Sequence, residues 1–359
     1  MKIGFFSPLP PSPTGVADYS AALIKAMQQF GAVLPNAPGD LNLYHIGNNH
    51  LHREIYARAI ADPGVVVLHD SVLQHFFLGT FAEEQYVKEF TFNYGDDKLA
   101  RDLWRNRARS AADPRYFRYP MLKRIAAASR AVIVHNPAAS RVVREHGARR
   151  IFEIPHLFLA PVLPPPEAVA KLRTEIGAAP GTLLVGVFGH LRESKRIAII
   201  LRALEQLKDL NIRLLVQGKF ASSDLERALK ERLKSPQIIR RDYLEEPEFW
   251  KYASATDLCL NLRFPSAGET SGIAISMMGI GKPVVFTAGE GLGRYPKNAY
   301  LSVELGPAEE KHLAELIRWI AKSPEAGLEI GSRAASHIKR EHDPILVAAK
   351  FLEALECTR

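Results

Sequence analysis

The feature that most constrains the fold is an alternation of short apolar runs with helical patterns along the whole sequence. In the first half, runs such as KIGFF and GVVVLHD are each followed by a segment with helical periodicity. In the second half the alternation restarts with runs such as TLLVGVFG and DLCLNL. Strands that alternate with helices predict parallel sheets covered by helices on both faces.

A proline-rich segment separates the two series. Residues 160–169, APVLPPPEAV, contain four prolines and are typical of a linker. The chain has 359 residues, which exceeds the size at which a single hydrophobic core keeps growing. The sequence therefore predicts an α/β protein with two facing doubly wound domains, over 1–160 and 161–340. A last helix, over 341–359, is expected to pack back on the N-terminal domain.

Composition indicates an ordinary soluble protein. Hydrophobic residues make up 47% and charged residues 24% of the sequence. The N-terminal segment is too short and too rich in proline for a signal peptide, and no apolar run reaches the length of a membrane span. The two cysteines, Cys259 and Cys357, suggest neither a disulfide framework nor a metal cluster. We therefore expect a cytoplasmic location and no bound metal.

Positive charge is concentrated in one window of the first half. The net charge is +8, and residues 96–150 hold 14 Lys and Arg against five Asp and Glu. Such a window is either a solvated helix face or a surface that attracts lipid headgroups, a lipid diphosphate or another polyanion. No nucleic-acid-binding motif accompanies the charge, so nucleic acid is not an expected partner. If the surface is functional, the protein is expected at the inner face of the membrane as a peripheral protein.

Polar residues follow the predicted strands at the points where ligands bind in doubly wound folds. Ligands of such folds lie beyond the carboxyl ends of the strands, so the cleft between the two domains is the expected site. The residues at these positions are Ser7, His69, Asp70, His135, Asn136, Gly189, His190, Gly218, Lys219 and Arg263.

The segment FGHLRESKRI, residues 188–197, has the pattern of a strand end, a glycine turn and a helix start. Gly189 would let the backbone approach a ligand closely. Lys195 lies near the start of the following helix, where the helix dipole disfavours a cation unless an anion binds there too. The residue is therefore either a surface lysine or part of an anion site.

The segment RFPSAGETSG, residues 263–272, repeats this arrangement with a carboxylate added. Ser271 and Gly272 would open the next helix and direct amides at a diphosphate, although Thr270 or Ser271 could equally be a simple N-cap. Glu269 would repel a phosphate, and sugar hydroxyls are its expected partners because a carboxylate accepts strong hydrogen bonds from them. Lys195 and Arg263 could balance the diphosphate without a metal.

These motifs resemble the retaining glycosyltransferases of family four, which have the GT-B fold of two Rossmann-like domains. The second half carries Gly-x-Leu-x-x-x-Lys, then Glu-x-x-Gly and Gly-Lys-Pro-Val-Val. The sequence is most similar to a bacterial branch that reads Arg-Phe/Tyr-Pro-x-x-Gly-Glu-Thr-Ser-Gly. The first half resembles that branch in PLPPSPTGVADYS, HIGNNHLH, PGVVVLHDSVLQH and VIVHN.

The resemblance implies a role for each matching residue. Lys195, Gly189, His190, Arg263, Ser271 and Gly272 would bind the donor diphosphate. Glu269 would contact the donor sugar as a catalytic residue, with His69 near the sugar or acceptor and Asp70 orienting it. Gly15 and Asp18 would belong to the donor or acceptor loop. Asp242, Tyr243 and Leu244 would form the base pocket.

Two departures from the family pattern affect the expected site. The broad family has a second Glu that binds the nucleotide ribose, and the corresponding position here is Ser276 or Met277. The family also has Arg where His190 stands, and Arg263 could supply that cation.

The activity that the resemblance implies is retaining, metal-independent transfer of a hexose. The donor would be a UDP-, GDP- or dTDP-sugar and the acceptor a hydroxyl, as in cell-surface polysaccharide or lipid-linked glycan assembly. No cofactor is expected beyond the nucleotide-sugar substrate. Two other functions stay open: a non-catalytic nucleotide-sugar-binding partner of a transferase, and a GT-B-like nucleotide-sugar epimerase.

Overall fold

The computed structural model describes residues 2–289 and 292–358 and shows two six-stranded parallel sheets. Their strand orders are β2-β1-β3-β4-β5-β6 and β12-β11-β10-β7-β8-β9. In both sheets the order reverses beside the first strand of the half, as in doubly wound folds. The predicted fold class, two Rossmann-like α/β domains, is confirmed.

The first sheet and its helices occupy the N-terminal half. Its strands are β1 (Lys2–Phe6), β2 (Ala32–Pro35), β3 (Leu41–Ile46), β4 (Val65–Leu68), β5 (Ala131–Val134) and β6 (Ile151–Glu153). The helices are α1 (Gly15–Met27), α2 (Arg53–Ala61), α3 (Gln74–Thr80), α4 (Glu83–Tyr94), α5 (Asp97–Arg105), α6 (Lys123–Ala128) and α7 (Pro137–Glu145).

The second sheet follows the proline-rich segment. Its strands are β7 (Leu183–Val187), β8 (Ile212–Gln217), β9 (Ile238–Arg241), β10 (Leu258–Asn261), β11 (Val284–Thr287) and β12 (Leu301–Val303). The helices are α8 (Pro166–Glu175), α9 (Ile197–Glu205), α10 (Ser223–Leu229), α11 (Glu246–Ala255), α12 (Gly272–Gly279), α13 (Glu309–Lys322), α14 (Pro324–Glu341) and α15 (Pro344–Glu356).

The central strands are buried on both faces, as their continuous apolar sequences require. Every residue of β4, β5 and β10 is buried. Helix α15 returns to the N-terminal half, where Val347 and Phe351 join the same apolar cluster as Leu23 of α1. The C-terminal segment is therefore part of the core beside the first sheet.

The loops after β4 and β5 contact the loop that joins β10 to α12. The amides of Ser71 and Val72 both donate to the carbonyl of Ala267, at 2.8 and 3.0 Å. The carboxyl edges of the two sheets consequently face each other, which is where the sequence places the ligand cleft. Within the described residues, no helix is both long enough and apolar enough to cross a membrane.

Candidate active site in the interdomain cleft

The loop between β10 and α12, residues 263–272, is organised around the carboxylate of Glu269. Its Oε1 accepts from Arg263 Nη1 at 2.6 Å, and its Oε2 accepts from Ser266 Oγ at 3.1 Å and from the Ala267 amide at 2.9 Å. A carboxylate has about four lone-pair positions, so these three donors leave roughly one for a ligand. Glu269 therefore holds its own loop in shape as well as facing the cleft.

Ser271 is the N-cap of α12, which is the simpler of the two interpretations of this position. Its Oγ accepts from the Ala274 amide at 3.3 Å and donates to Asn261 Oδ1 at 2.9 Å. The amides of the first turn, beginning at Gly272, have no partner within the helix. They form the positive end of α12 beside the Glu269 loop, where an anion would be favoured.

Lys195 is buried next to this helix end. It ends a short 3₁₀ turn, is 8% exposed, and donates through Nζ to the carbonyl of Phe188. A Cβ at Gly189 would lie 3.6 Å from that Nζ and 3.4 Å from the side chain of Ile273 in α12. Gly189, with a φ of +82°, thus brings the backbone between the lysine and the helix.

The electrostatic environment of Lys195 favours an incoming anion. Burial, and to a smaller extent the nearby charge of Arg263, lower the pKa of Lys195 to about 7. The pKa of His190 is likewise lowered, by partial burial and then by the charges of Arg192, Lys195 and Lys219. Several cations therefore crowd one region of the second domain, and a diphosphate would relieve their mutual repulsion.

The proposed base pocket lies at the ends of β8 and β9. The buried Gln217 donates to the carbonyl of Asp242 at 3.0 Å, and Arg240 bonds Asp242 Oδ1 at 2.7 Å. Tyr243 is 62% exposed and Leu244 is half-buried. The segment is thus anchored through its backbone and leaves an aromatic ring at the surface that a flat ligand could stack on.

A cavity of about 210 Å³ adjoins Glu269 on the side of β11. Its lining includes Arg263, Glu269 and Thr270 as well as the aromatic rings of Phe286 and Tyr295. The combination of an ion pair with aromatic rings is typical of small-molecule sites. The cavity extends the space available next to the carboxylate.

His69 and Asp70 follow β4 and reach the cleft from the N-terminal domain. His69 Nε2 lies 3.0 Å from Nδ1 of the buried His45, and burial and neighbouring histidines hold the pKa of His69 well below its usual value. Asp70 accepts from the Asn48 amide at 2.8 Å. Burial, followed by the charge of Glu269, raises the pKa of Asp70 to about 7. A carboxyl from each domain therefore faces the same space.

Helix α1 begins at Gly15, at the rim of the cleft. A Cβ at Gly15 would meet nothing within 4 Å, so packing does not require glycine there. Asp18 lies in the first turn, and its pKa is raised by burial and then by the charge of Glu246 in α11. The effect of Glu246 on Asp18 indicates that the first turn of α1 lies near α11 of the second domain.

The structure brings the predicted residues Lys195, Arg263, Glu269 and Asp70 close together, and it adds partners that the sequence did not indicate. Asn48 holds Asp70, His45 bonds His69, and Asn136 reaches across to the Glu269 loop. Asn136 was recognisable as a residue after a strand, but its partners are 132 and 134 positions away in the sequence. Among residues 2–289 and 292–358, no group of three or more His, Cys, Asp or Glu side chains is arranged to hold a metal ion.

Comparison with known proteins supports the fold. The structure resembles HepE of Anabaena, solved in complex with UDP-glucose, with a TM-score of 0.67, 16% identity and coverage of 99% of this chain and 100% of HepE. It also resembles sucrose-phosphate synthase from Thermosynechococcus elongatus, with a TM-score of 0.70, 16% identity and coverage of 99% and 98%. The glycosyltransferase WaaG, involved in lipopolysaccharide biosynthesis, gives a TM-score of 0.61, 16% identity and coverage of 98% and 99%.

No protein-family model matches the sequence, and no curated protein matches it. The similarity to solved structures extends over nearly the whole chain and assigns the two-domain GT-B fold.

Substitution of Lys195 tests whether the buried lysine lowers the stability of the free protein, as expected of a residue that serves to bind an anion. Its folded pKa of about 7 lies below the usual 10.5, so the unfolded chain holds more protons between these values. The destabilisation is therefore complete below about pH 7 and fades as the pH rises toward 10.5. We expect Lys195→Met to raise the melting temperature by a few degrees at pH 6.5 and by less at pH 9.5.

We expect UDP, one of the donor nucleotides that the resemblance implies, to raise the melting temperature of the wild type, and we expect the Lys195→Met variant to lose that shift. Lys282→Met is the control, because Lys282 is half-buried and also has a lowered pKa, but its Nζ donates to the Ser254 carbonyl in α11 at 2.6 Å. That control should keep the UDP shift. Equal UDP shifts in wild type and Lys195→Met would contradict the assignment.

Proposed function

We propose that the protein is a glycosyltransferase that moves a sugar from a nucleotide-sugar to a hydroxyl acceptor with retention at the anomeric carbon. The observation that carries this proposal is the convergence of buried Lys195, Arg263 and the N-terminus of α12 at one edge of the second sheet. This cluster suits a diphosphate, and the fold is shared with HepE, which was solved with UDP-glucose. UDP-sugars are therefore the first donors to test, before GDP- and dTDP-sugars.

Catalysis would rest on stabilising the leaving nucleotide diphosphate. As the bond from the anomeric carbon to the phosphate oxygen breaks, negative charge grows on the diphosphate, and Lys195 and the amides at Gly272 would stabilise that charge. The acceptor oxygen forms its new bond on the same face, and the departing phosphate takes the acceptor proton. These cations and amides can supply the stabilisation without a metal.

The N-terminal domain would supply the acceptor side. His69 and Asp70 lie at the end of β4, and the open space at Gly15 leaves room for a substrate at the start of α1. Asp70, with a pKa near 7, can exchange a proton with an acceptor hydroxyl at physiological pH. We assign Asp70 to orienting the acceptor together with His69.

The sequence departs from the family pattern at the ribose-binding Glu and at His190, and we propose a residue that takes over each role. Met277 is fully buried and cannot reach a ligand, whereas Ser276 is half-buried and is the candidate for ribose contact. Arg263 pairs with Glu269 and also reaches Ser271 Oγ at 3.4 Å, so its cation is positioned between the sugar-reading carboxylate and the diphosphate site.

We further propose that the acceptor is anionic or lipid-linked, because part of the basic window lies at the rim of the cleft. His75, after β4, lies near the backbone of Ser110, and its pKa is lowered by burial and then by the charge of Arg192 from the second domain. Several charges of the window are neutralised, since Arg101 pairs with Glu84 and Arg124 with Glu89. The exposed basic residues of the window include Arg105, Arg107, Arg109, Arg118 and Lys123.

Replacement of Glu269 tests the sugar-reading role. Glu269→Gln keeps the size of the side chain but loses its charge and one acceptor oxygen, so we expect turnover of UDP-glucose to fall roughly 10- to 100-fold, the value of one or two hydrogen bonds to a charged group. Affinity for UDP alone should change less than about threefold, because UDP has no sugar to contact. Glu310→Gln, which alters a surface ion pair with Arg202 at 2.7 Å, is the control. Equal losses of turnover and of UDP affinity would show that Glu269 does not act by contacting the donor sugar.

Sedimentation with liposomes tests the acceptor surface. We expect binding to anionic vesicles and not to neutral ones, falling with salt. Replacing Arg105, Arg109 and Arg118 by Gln should weaken binding by about two orders of magnitude, at about 1 kcal/mol per charge. Replacing the exposed Lys208, Lys230 and Lys311 by Gln removes the same charge from the second half and should have little effect. Equal binding to neutral and anionic vesicles would show that residues 96–150 form a solvated surface without a role in membrane binding.

A further inference from the structure

Asn136 connects the two domains at the loop that carries Glu269. It follows β5 and is 1% exposed. Its Oδ1 accepts from the Ala139 amide at 2.8 Å and so caps α7. Its Nδ2 crosses the cleft and donates to the Gly268 carbonyl at 2.9 Å and to Thr270 Oγ1 at 3.0 Å. The two acceptors lie on either side of Glu269 in the sequence.

The capping bond alone does not explain why this residue is an asparagine. Asp, Ser and Thr also cap helices well, but they lack an amide that accepts through one atom and donates two protons through the other. Here the carbonyl oxygen serves α7 and the amino group serves the opposite domain. Both ends of the side chain are therefore used, each in a different domain.

The contact between the domains is close on the other side of the loop as well. Gly268 has a φ of +76°, and a Cβ on it would lie 1.8 Å from Ser71 Oγ. The carbonyl of Ala267 accepts both the Ser71 and the Val72 amides. The loop is thus seated against the ends of two strands of the N-terminal domain, at β4 and at β5.

We propose that Asn136 is a positioning residue that sets the direction of the Glu269 carboxylate by holding the residues on both sides of it. The sugar-reading loop then takes its working shape only when the N-terminal domain is in contact. This inference rests on the proposed function, in which Glu269 contacts the donor sugar. It links the acceptor domain to donor recognition through a single side chain.

Variants that keep the cap and remove the amino group test this role. Asn136→Asp and Asn136→Ser both retain an N-cap oxygen, one with a charge and one without. In both we expect hydrolysis of UDP-glucose to slow by about 10- to 100-fold, from the loss of two hydrogen bonds. UDP affinity should stay within about threefold, because the diphosphate contacts do not use Asn136. Thr270→Val should cause a smaller loss, and none when added to Asn136→Asp.

Hydrogen exchange supplies a readout that does not depend on activity. The amides of residues 267–272 should exchange at least about tenfold faster in both Asn136 variants, while those of α7 keep their protection. Unchanged exchange in the loop, or turnover within about twofold of wild type, would show that Asn136 is only a cap. If the wild type binds none of UDP, GDP and dTDP, the proposed function fails, and the exchange data still decide whether Asn136 positions the loop.

Discussion

The seating of loop 263–272 between the two domains is the contact on which the cleft depends. Inside the loop, Glu269 gathers a guanidinium, a hydroxyl and an amide, so a short glycine-containing segment acquires a fixed shape. Outside it, backbone amides after β4 and the side chain after β5 hold it in place. The position of the Glu269 carboxylate is consequently a property of both domains rather than of one.

Burial and neighbouring charges shift the pKa values of two ionisable groups beside this loop. Burying Lys195 close to Arg263 depresses its pKa, which means that the charged lysine is unfavourable in the free protein. The pKa of Asp70 shifts in the opposite direction, because burial and the charge of Glu269 raise it. Two ionisable groups with opposed shifts in one cleft are typical of a functional site. A diphosphate beside Lys195 and a hydroxyl beside Asp70 would satisfy both.

Much of the fold follows from local sequence, but two of the four edge strands do not. Central strands such as Val65–Leu68 and Leu258–Asn261 are continuous apolar runs and could be recognised directly. The edge strands Ala32–Pro35 and Leu301–Val303 were missed, because they are only four and three residues long and partly exposed. Short edge strands carry little of the apolar pattern that identifies a strand.

Only some of the site residues could likewise be predicted from local sequence. Lys195, Glu269 and Ser271 stand in motifs whose chemistry is local, so they could be selected from the sequence. The partners of Asn136 lie more than 130 residues away, and nothing in its own neighbourhood indicates them. Likewise, the sequence did not indicate the three donors to the Glu269 carboxylate, because the folded loop brings them together.

Calorimetric titration with UDP, GDP and dTDP in the presence of EDTA tests the central claim most directly. Saturable binding of one of these nucleotides, unaffected by EDTA, is the predicted result; no binding of any of them, or binding that EDTA abolishes, would contradict a metal-independent nucleotide-sugar site.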